Sequence, residues 1–199
     1  MPADQPTRLL VLLGSVTSPG RLLQAMQAAL ARADANGEQL ETELIDLADH
    51  EISFAGRGDP SELNDDTAAV IAAVSAADVV VFATPVYRGS MTGALKNVFD
   101  LLPVPALEGK VVALAAMGAS DHHFLGPDRH LRDVLTFFGA LVTPVSVYLT
   151  GADFPDGAPG ERAAQALDEL IQGALALSAV VGEAGQLGPG PLAARAIRR

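Results

Sequence analysis

Between a leucine-rich run and a helical segment the chain reads Gly14-Ser15-Val16-Thr17-Ser18-Pro19-Gly20-Arg21. Gly14 permits a tight turn, Ser15, Thr17 and Ser18 bring hydroxyls, and Arg21 brings a positive charge. A helix that starts here points unpaired N–H groups and the positive end of its dipole back at the loop. These residue types at this spacing can therefore cradle a phosphate. The same residues also suit an ordinary strand-to-helix turn, capped by Ser18 with proline at the first helical position, and both readings stay open. The loop matches neither G-x-G-x-x-G nor a Walker sequence, which counts against a dinucleotide fingerprint and a P-loop. Asp46, ending a second strand-like run, would suit ribose recognition in a dinucleotide domain; without the glycine fingerprint it reads as a loop-structuring residue.

Two further stretches carry candidate chemistry. Thr84 to Asp100, TPVYRGSMTGALKNVFD, follows VVVFA, so a strand-like run meets a proline and a helix starts soon after. Taken alone, Tyr87 reads as a packing aromatic and Arg88 as a solvated charge. Lys96 has Asp100 four residues on, the spacing of a helical ion pair. The third stretch, MGASDHHFLG, has a small-residue turn at Gly118, Ala119 and Ser120, then His122 and His123. Adjacent histidines in a short turn point apart, and no further cluster has metal-ligand spacing, so a metal site is not expected.

These stretches need elements to position them. Five apolar runs read as strands, Arg8 to Leu13, Leu40 to Leu47, Asp78 to Ala83, Lys110 to Ala116 and Leu141 to Leu149. They alternate with helical segments at Gly20 to Asn36, Asp65 to Ala76, Met91 to Leu102, Asp128 to Gly139 and Gly160 to Val181. Gly37 is placed as a helix stop, and Asn64, Asp65 and Asp66 crowd a helix start. The second strand alternates polar and apolar residues and reads as an edge. Alternating βαβ units point to an α/β fold with a five-stranded parallel sheet in flavodoxin-like order 2-1-3-4-5. In that order ligands bind outside the carboxyl ends of the strands, where the three stretches fall. The apolar stripe Leu95, Val98, Phe99 and Leu102 fits either core or interface.

With 199 residues and 49% hydrophobic content, one domain is expected. A net charge of −11 opposes nucleic acid and anionic membrane as main partners. There is no cysteine, which removes disulfides and thiolate chemistry. No uninterrupted apolar run of about 18 residues and no signal-peptide pattern is present, so a cytoplasmic protein is the expectation. Residues 1–182 are read as the domain, and 183–199, rich in Gly, Pro and Ala, as a flexible tail.

The combination of Thr84-Pro85-Val86-Tyr87 with Gly93-Ala94-Leu95-Lys96, preceded by the Gly-Ser loop and followed by KVVALAAMG, resembles the NADPH-dependent FMN reductase family of flavodoxin-like proteins. Within that family it is most similar to the flavin reductases of two-component alkanesulfonate monooxygenases. The likeness runs from about Arg8 to about Asp153. It implies an oxidoreductase that takes hydride from NADPH or NADH to FMN, with Gly14, Ser15, Thr17, Ser18 and Arg21 at the phosphate. Pro85, Val86, Tyr87, Arg88 and Ser90 would face the flavin ring, beside Gly118, Ala119 and Ser120. The proline would mark where sheet hydrogen bonding stops and the N–H groups of Val86 to Ser90 become available to the flavin, with Arg88 favouring its reduced form. No side chain is assigned as catalytic, since hydride transfer between stacked rings needs distance and orientation; His122 or His123 acting as an acid is not required.

Related phosphate loops carry an arginine near position 17 and hydroxyl residues near 20 and 22, where this chain has Thr17, Gly20 and Leu22. FMN is accordingly expected to be held loosely and to leave after reduction for a partner monooxygenase. Arg57, in the long connection from Asp49 to Asn64, is a candidate contact for the extra phosphate of NADPH. The likeness also implies a homodimer or homotetramer. A quinone or azo reductase with resident FMN and a non-enzymatic flavodoxin-type carrier are the alternatives. A response-regulator receiver is excluded, because its acidic positions are Gly14-Ser15 and Thr84-Pro85 here.

Overall fold

The computed structural model describes residues 5–36, 39–56, 58–184 and 188. Gly37 and Arg57, and nearly all of the stretch expected as a tail, lie outside the described residues. Strands β1 (Thr7–Leu13), β2 (Leu40–Asp46), β3 (Val79–Pro85), β4 (Val111–Met117), β5 (Leu141–Val142) and β6 (Val147–Leu149) form one parallel sheet. Its order is β2-β1-β3-β4-β5, with β6 also paired to β4. Helices α1 (Arg21–Asn36), α2 (Thr67–Ala76), α3 (Gly93–Leu101), α4 (Leu125–Phe138) and α5 (Glu161–Ala184) cover both faces.

Strand periodicity sorts the core. Leu9, Val11 and Leu13 of β1, with Val79, Val81 and Ala83 of β3, point to one face, where Leu22, Met26 and Leu167 pack from α1 and α5. The alternate residues, Leu10, Leu12, Val80 and Phe82, meet α2, α3 and α4. Near-complete burial of β1, β3 and β4 on both faces follows from their uninterrupted apolar sequence. Leu95, Val98, Phe99 and Leu102 are all buried in the second layer, so the α3 stripe belongs to the core. α5 is long and apolar enough by length and composition to cross a membrane, yet Ala163, Leu167, Ile171 and Ala174 lie in the first layer. Arg32 Nε donates to both oxygens of Asp168, at 2.9 and 2.8 Å, tying α1 to α5.

Two element boundaries differ from expectation. The fifth strand is not continuous: the segment Thr143 to Ser146, with Pro144, parts β5 from β6. The third strand continues through Pro85, which is paired with Met117, and Val86 N–H donates to the Met117 carbonyl at 2.8 Å. A strand residue faces one neighbour with both its N–H and C=O, so Val86 faces β4 and Pro85 faces β1, which ends at Leu13. The missing proline N–H thus costs one bond at most, at the very end of the β1–β3 ladder, a sheet position that tolerates proline.

Candidate functional site

The carbonyl that a residue other than proline at position 85 would have met is satisfied from elsewhere. Thr92 Oγ1 donates to Gly14 O at 2.6 Å and accepts from Leu95 N at 3.2 Å, so one fully buried hydroxyl caps α3 and holds the end of β1. Thr92 N–H donates to Thr84 Oγ1 at 3.2 Å, and Thr84 Oγ1 donates to Pro85 O at 2.9 Å. Gly14 N–H donates to Ala83 O at 2.7 Å, and a Cβ on Gly14 would lie 2.7 Å from Leu95 Cβ. The loops after β1 and β3 are therefore fixed to one another and to α3. Sequence reasoning missed Thr92 by starting the helix at Met91; the preference of threonine for the N-cap was the signal available.

After Gly14 the backbone stops pairing with the protein. Among the described residues, the N–H groups of Ser15, Val16, Thr17 and Ser18 have no hydrogen-bond partner, and helix α1 opens at Arg21. Ser15 is buried while Thr17 and Ser18 are exposed. The Arg21 guanidinium lies 5.6 Å from the centre of the Phe154 ring and beside Gly151, on the loop after β6. The five residues expected at an anion thus stand on one loop at a helix N-terminus, with donors free.

The loop after β3 does not release all its N–H groups, contrary to the sequence-based expectation. Val86 N–H is taken by Met117, and Tyr87 and Ser90 exchange both backbone bonds, at 2.9 and 3.0 Å. Arg88 and Gly89 form the tip of this tight hairpin with φ of 53° and 77°, the signs of a type I′ turn. Only the N–H groups of Arg88 and Gly89 remain unpaired in the segment from Val86 to Ser90. The physical reason is register: an arginine followed by glycine can both adopt positive φ, which lets the segment fold back on itself. Ser90 Oγ is 2.7 Å from His130 Nδ1, so α4 holds the hairpin, and a Cβ on Gly126 would lie 2.3 Å from the Gly89 carbonyl. His130 had no sequence signal, because its partner is 40 residues away.

The third loop is anchored to β6. Gly118 N–H donates to Leu149 O at 2.9 Å, and Tyr148 OH donates to Ser120 O at 2.7 Å. A Cβ on Gly118 would lie 1.9 Å from Tyr148 Oη and 3.4 Å from Val86 Cγ2, so glycine is required for this loop to pack between β6 and the hairpin. Burial and then the charge of Asp121 raise the pKa of the Tyr148 hydroxyl. Ala119 is exposed, and His122 Nδ1 lies 3.3 Å from Ser120 Oγ. Lys96 pairs with Asp100 at 2.6 Å on the outside of α3, as its spacing indicated.

Asp46 ends β2 opposite Leu13 and is 4% exposed. Its Oδ1 accepts the Ala48 N–H at 3.1 Å, the loop-structuring role read from the sequence, while Oδ2 is buried with no hydrogen-bond partner. Burial raises its pKa, against the pull of the Ala48 N–H; Asp49 raises it further, and Ser18 and His50 lower it. A cavity of about 630 Å³ lies apart from the loop tips, between α5 and the β5–β6 edge.

A parallel sheet in this order, with an anion-receptive first loop and two backbone loops at the same carboxyl edge, defines a flavodoxin-like protein. The chain belongs to the NADPH-dependent FMN reductase family, whose family model matches residues 7–154. It is 38% identical over 153 residues to an NADH-dependent FMN reductase, SfnF, of Pseudomonas fluorescens, covering 77% of this chain and 81% of the relative. It is 36% identical over 155 residues to an FMN reductase (NADPH) of Pseudomonas aeruginosa, covering 75% and 80%. Among solved structures, the apo form of an NADH:FMN oxidoreductase, EMOB, superposes with a TM-score of 0.74 at 28% identity, covering 85% of this chain and 89% of that one. The protein is accordingly an oxidoreductase whose cofactors are FMN and NAD(P)H. The residues present fit a flavin: free N–H groups and Arg21 at the first loop suit a phosphate, and the Arg88 and Gly89 N–H groups are the unpaired donors of the second.

Proposed function

We propose that this face reduces FMN as an exchangeable co-substrate at the expense of NAD(P)H, and that the reduced flavin leaves to serve a flavin-dependent monooxygenase. Bound FMN supplies the ring that takes hydride from the nicotinamide. The observation carrying the reading is the lock among the loops: Thr92 fixes the loop after β1 to the one after β3, and Gly118 fits the third loop against Val86.

In this reading Ser15, Thr17, Ser18 and Arg21 bind the phosphate. Pro85 and Val86 form the floor under the ring, and Tyr87, Arg88 and Ser90 form the hairpin beside it. The Arg88 and Gly89 N–H groups orient the ring and, with the Arg88 charge, favour negative charge on it. Gly118, Ala119 and Ser120 close the opposite side. Thr17, Gly20 and Leu22 leave the phosphate without the extra side-chain donors of related loops, which supports release. Tyr87, Phe124 and Leu125 are large, apolar and exposed around the hairpin, at 47%, 54% and 49%. They support a homodimer or homotetramer that covers this rim. The test of exchange is dialysis: protein purified with FMN should lose its flavin absorbance on extensive dialysis. Stoichiometric retention would support a resident flavin and a quinone or azo acceptor instead.

A further inference from the structure

The buried carboxylate beneath the first loop has no place in the reading above. Leu44 packs toward the α1 and α5 layer and Ile45 toward the opposite one, so by alternation Asp46 points to the face where α1 begins. It stands beside Leu13, one residue before the loop's Gly14. One oxygen is used by the Ala48 N–H; the other is enclosed, and no lysine or arginine pairs with it among the described residues. The Ser18 hydroxyl of the loop is close enough to favour its charged form, and His50 does the same from the connection after β2, while Asp49 opposes it. A loop built to receive an anion thus has on its underside an acid that no lysine or arginine among the described residues neutralises.

We propose that Asp46 sets how tightly the chain holds a phosphorylated flavin: its carboxylate opposes a second negative charge in the Ser15–Arg21 loop and so keeps FMN exchangeable. The free N–H groups, the helix dipole and Arg21 attract the phosphate, and Asp46 subtracts from that attraction. Little solvent reaches the carboxylate to screen it, so its field acts on the loop more strongly than a surface charge would. It does not act on the ring, so its effect separates flavins by their phosphate. The proposal rests on the assignment of the first loop to the phosphate.

Asp46→Asn removes the charge and keeps an acceptor for the Ala48 N–H; Asp46→Ser does the same with a smaller side chain. Both are measured, with wild type and Arg21→Ala, by fluorescence titration of the purified apoprotein with FMN and with riboflavin. We expect either Asp46 variant to lower the FMN dissociation constant about tenfold, the equivalent of one pKa unit, and to leave riboflavin unchanged. Arg21→Ala should weaken FMN alone. If Arg21→Ala weakens FMN and the Asp46 variants leave it unchanged, weaken it, or shift both flavins together, the Asp46 proposal fails and the loop assignment survives. If no variant, Arg21→Ala included, changes FMN relative to riboflavin, the loop assignment itself fails and takes the proposal with it.

Discussion

Thr92 and Gly118 carry the geometry of the site although neither offers a reactive group. Replacing Thr92 by valine keeps the shape but strands the Gly14 carbonyl and the Leu95 N–H in a buried setting. The loss of a cap and of a buried hydrogen bond should cost about 2–3 kcal/mol in denaturant unfolding. Because Thr92 joins two loops, the same variant should weaken FMN and riboflavin alike; unchanged flavin titrations would show that the loops hold their places without it. Gly118→Ala drives a methyl group into the Tyr148 hydroxyl, and displacement of the ring should break its bond to Ser120. We expect a loss of about 1–3 kcal/mol, the usual range for overpacking. A stability equal to wild type would mean that Tyr148 moves freely. These two residues show what was illegible in the sequence. A glycine's neighbour and a hydroxyl's partner 78 residues away depend on how strands are laid side by side. The residues proposed for the phosphate could be picked out because their chemistry is local: hydroxyls, glycine and arginine at one helix start.

Among the elements, strand centres could be read from apolar runs, whereas their ends could not. β3 passes through Pro85 because β1 ends beside it, a fact of register that a proline in one strand does not reveal. The hairpin at Arg88 and Gly89 was missed for a related reason: Arg-Gly is a weaker turn signal than Asn-Gly. The turn joining β6 to α5 supplies an element-scale test. Asp153 is 6% exposed, accepts from Thr150 N at 2.8 Å, and pairs with Arg162. Burial would raise its pKa, but the Thr150 N–H, the Arg162 hydrogen bond and charge, and the Thr150 hydroxyl together hold it below the usual carboxylate value. A carboxyl depressed in the fold contributes stability above its unfolded pKa and loses that contribution as pH falls through the folded one. Asp153→Asn should therefore be less stable than wild type at pH 7, by about 1–2 kcal/mol, in thermal or denaturant unfolding. The gap should close at pH values below the ordinary carboxylate range. A gap of constant size at all pH values would assign the loss to packing, not to the charge.

At the scale of the whole molecule the α/β class and the strand order could be derived from the alternation of short apolar runs with helices. The rule that ligands bind where the winding reverses selected the three loops on which the proposed site is built. Assembly was not legible, since an apolar stripe on a helix fits core and interface equally; α3 resolved to core. The exposed rim of Tyr87, Phe124 and Leu125 makes self-association our expectation, and light scattering should give a mass of two or four chains; a single-chain mass would leave the rim to the flavin or nicotinamide alone. FMN that enters and leaves this face as a substrate of an NAD(P)H-dependent reductase should make turnover depend on added flavin. The most direct measurement is oxidation of NADPH and NADH by extensively dialysed protein at varied concentrations of added FMN. We expect negligible turnover without added flavin and a rate that rises and saturates with FMN. A rate independent of added FMN, sustained by flavin that dialysis does not remove, would contradict it.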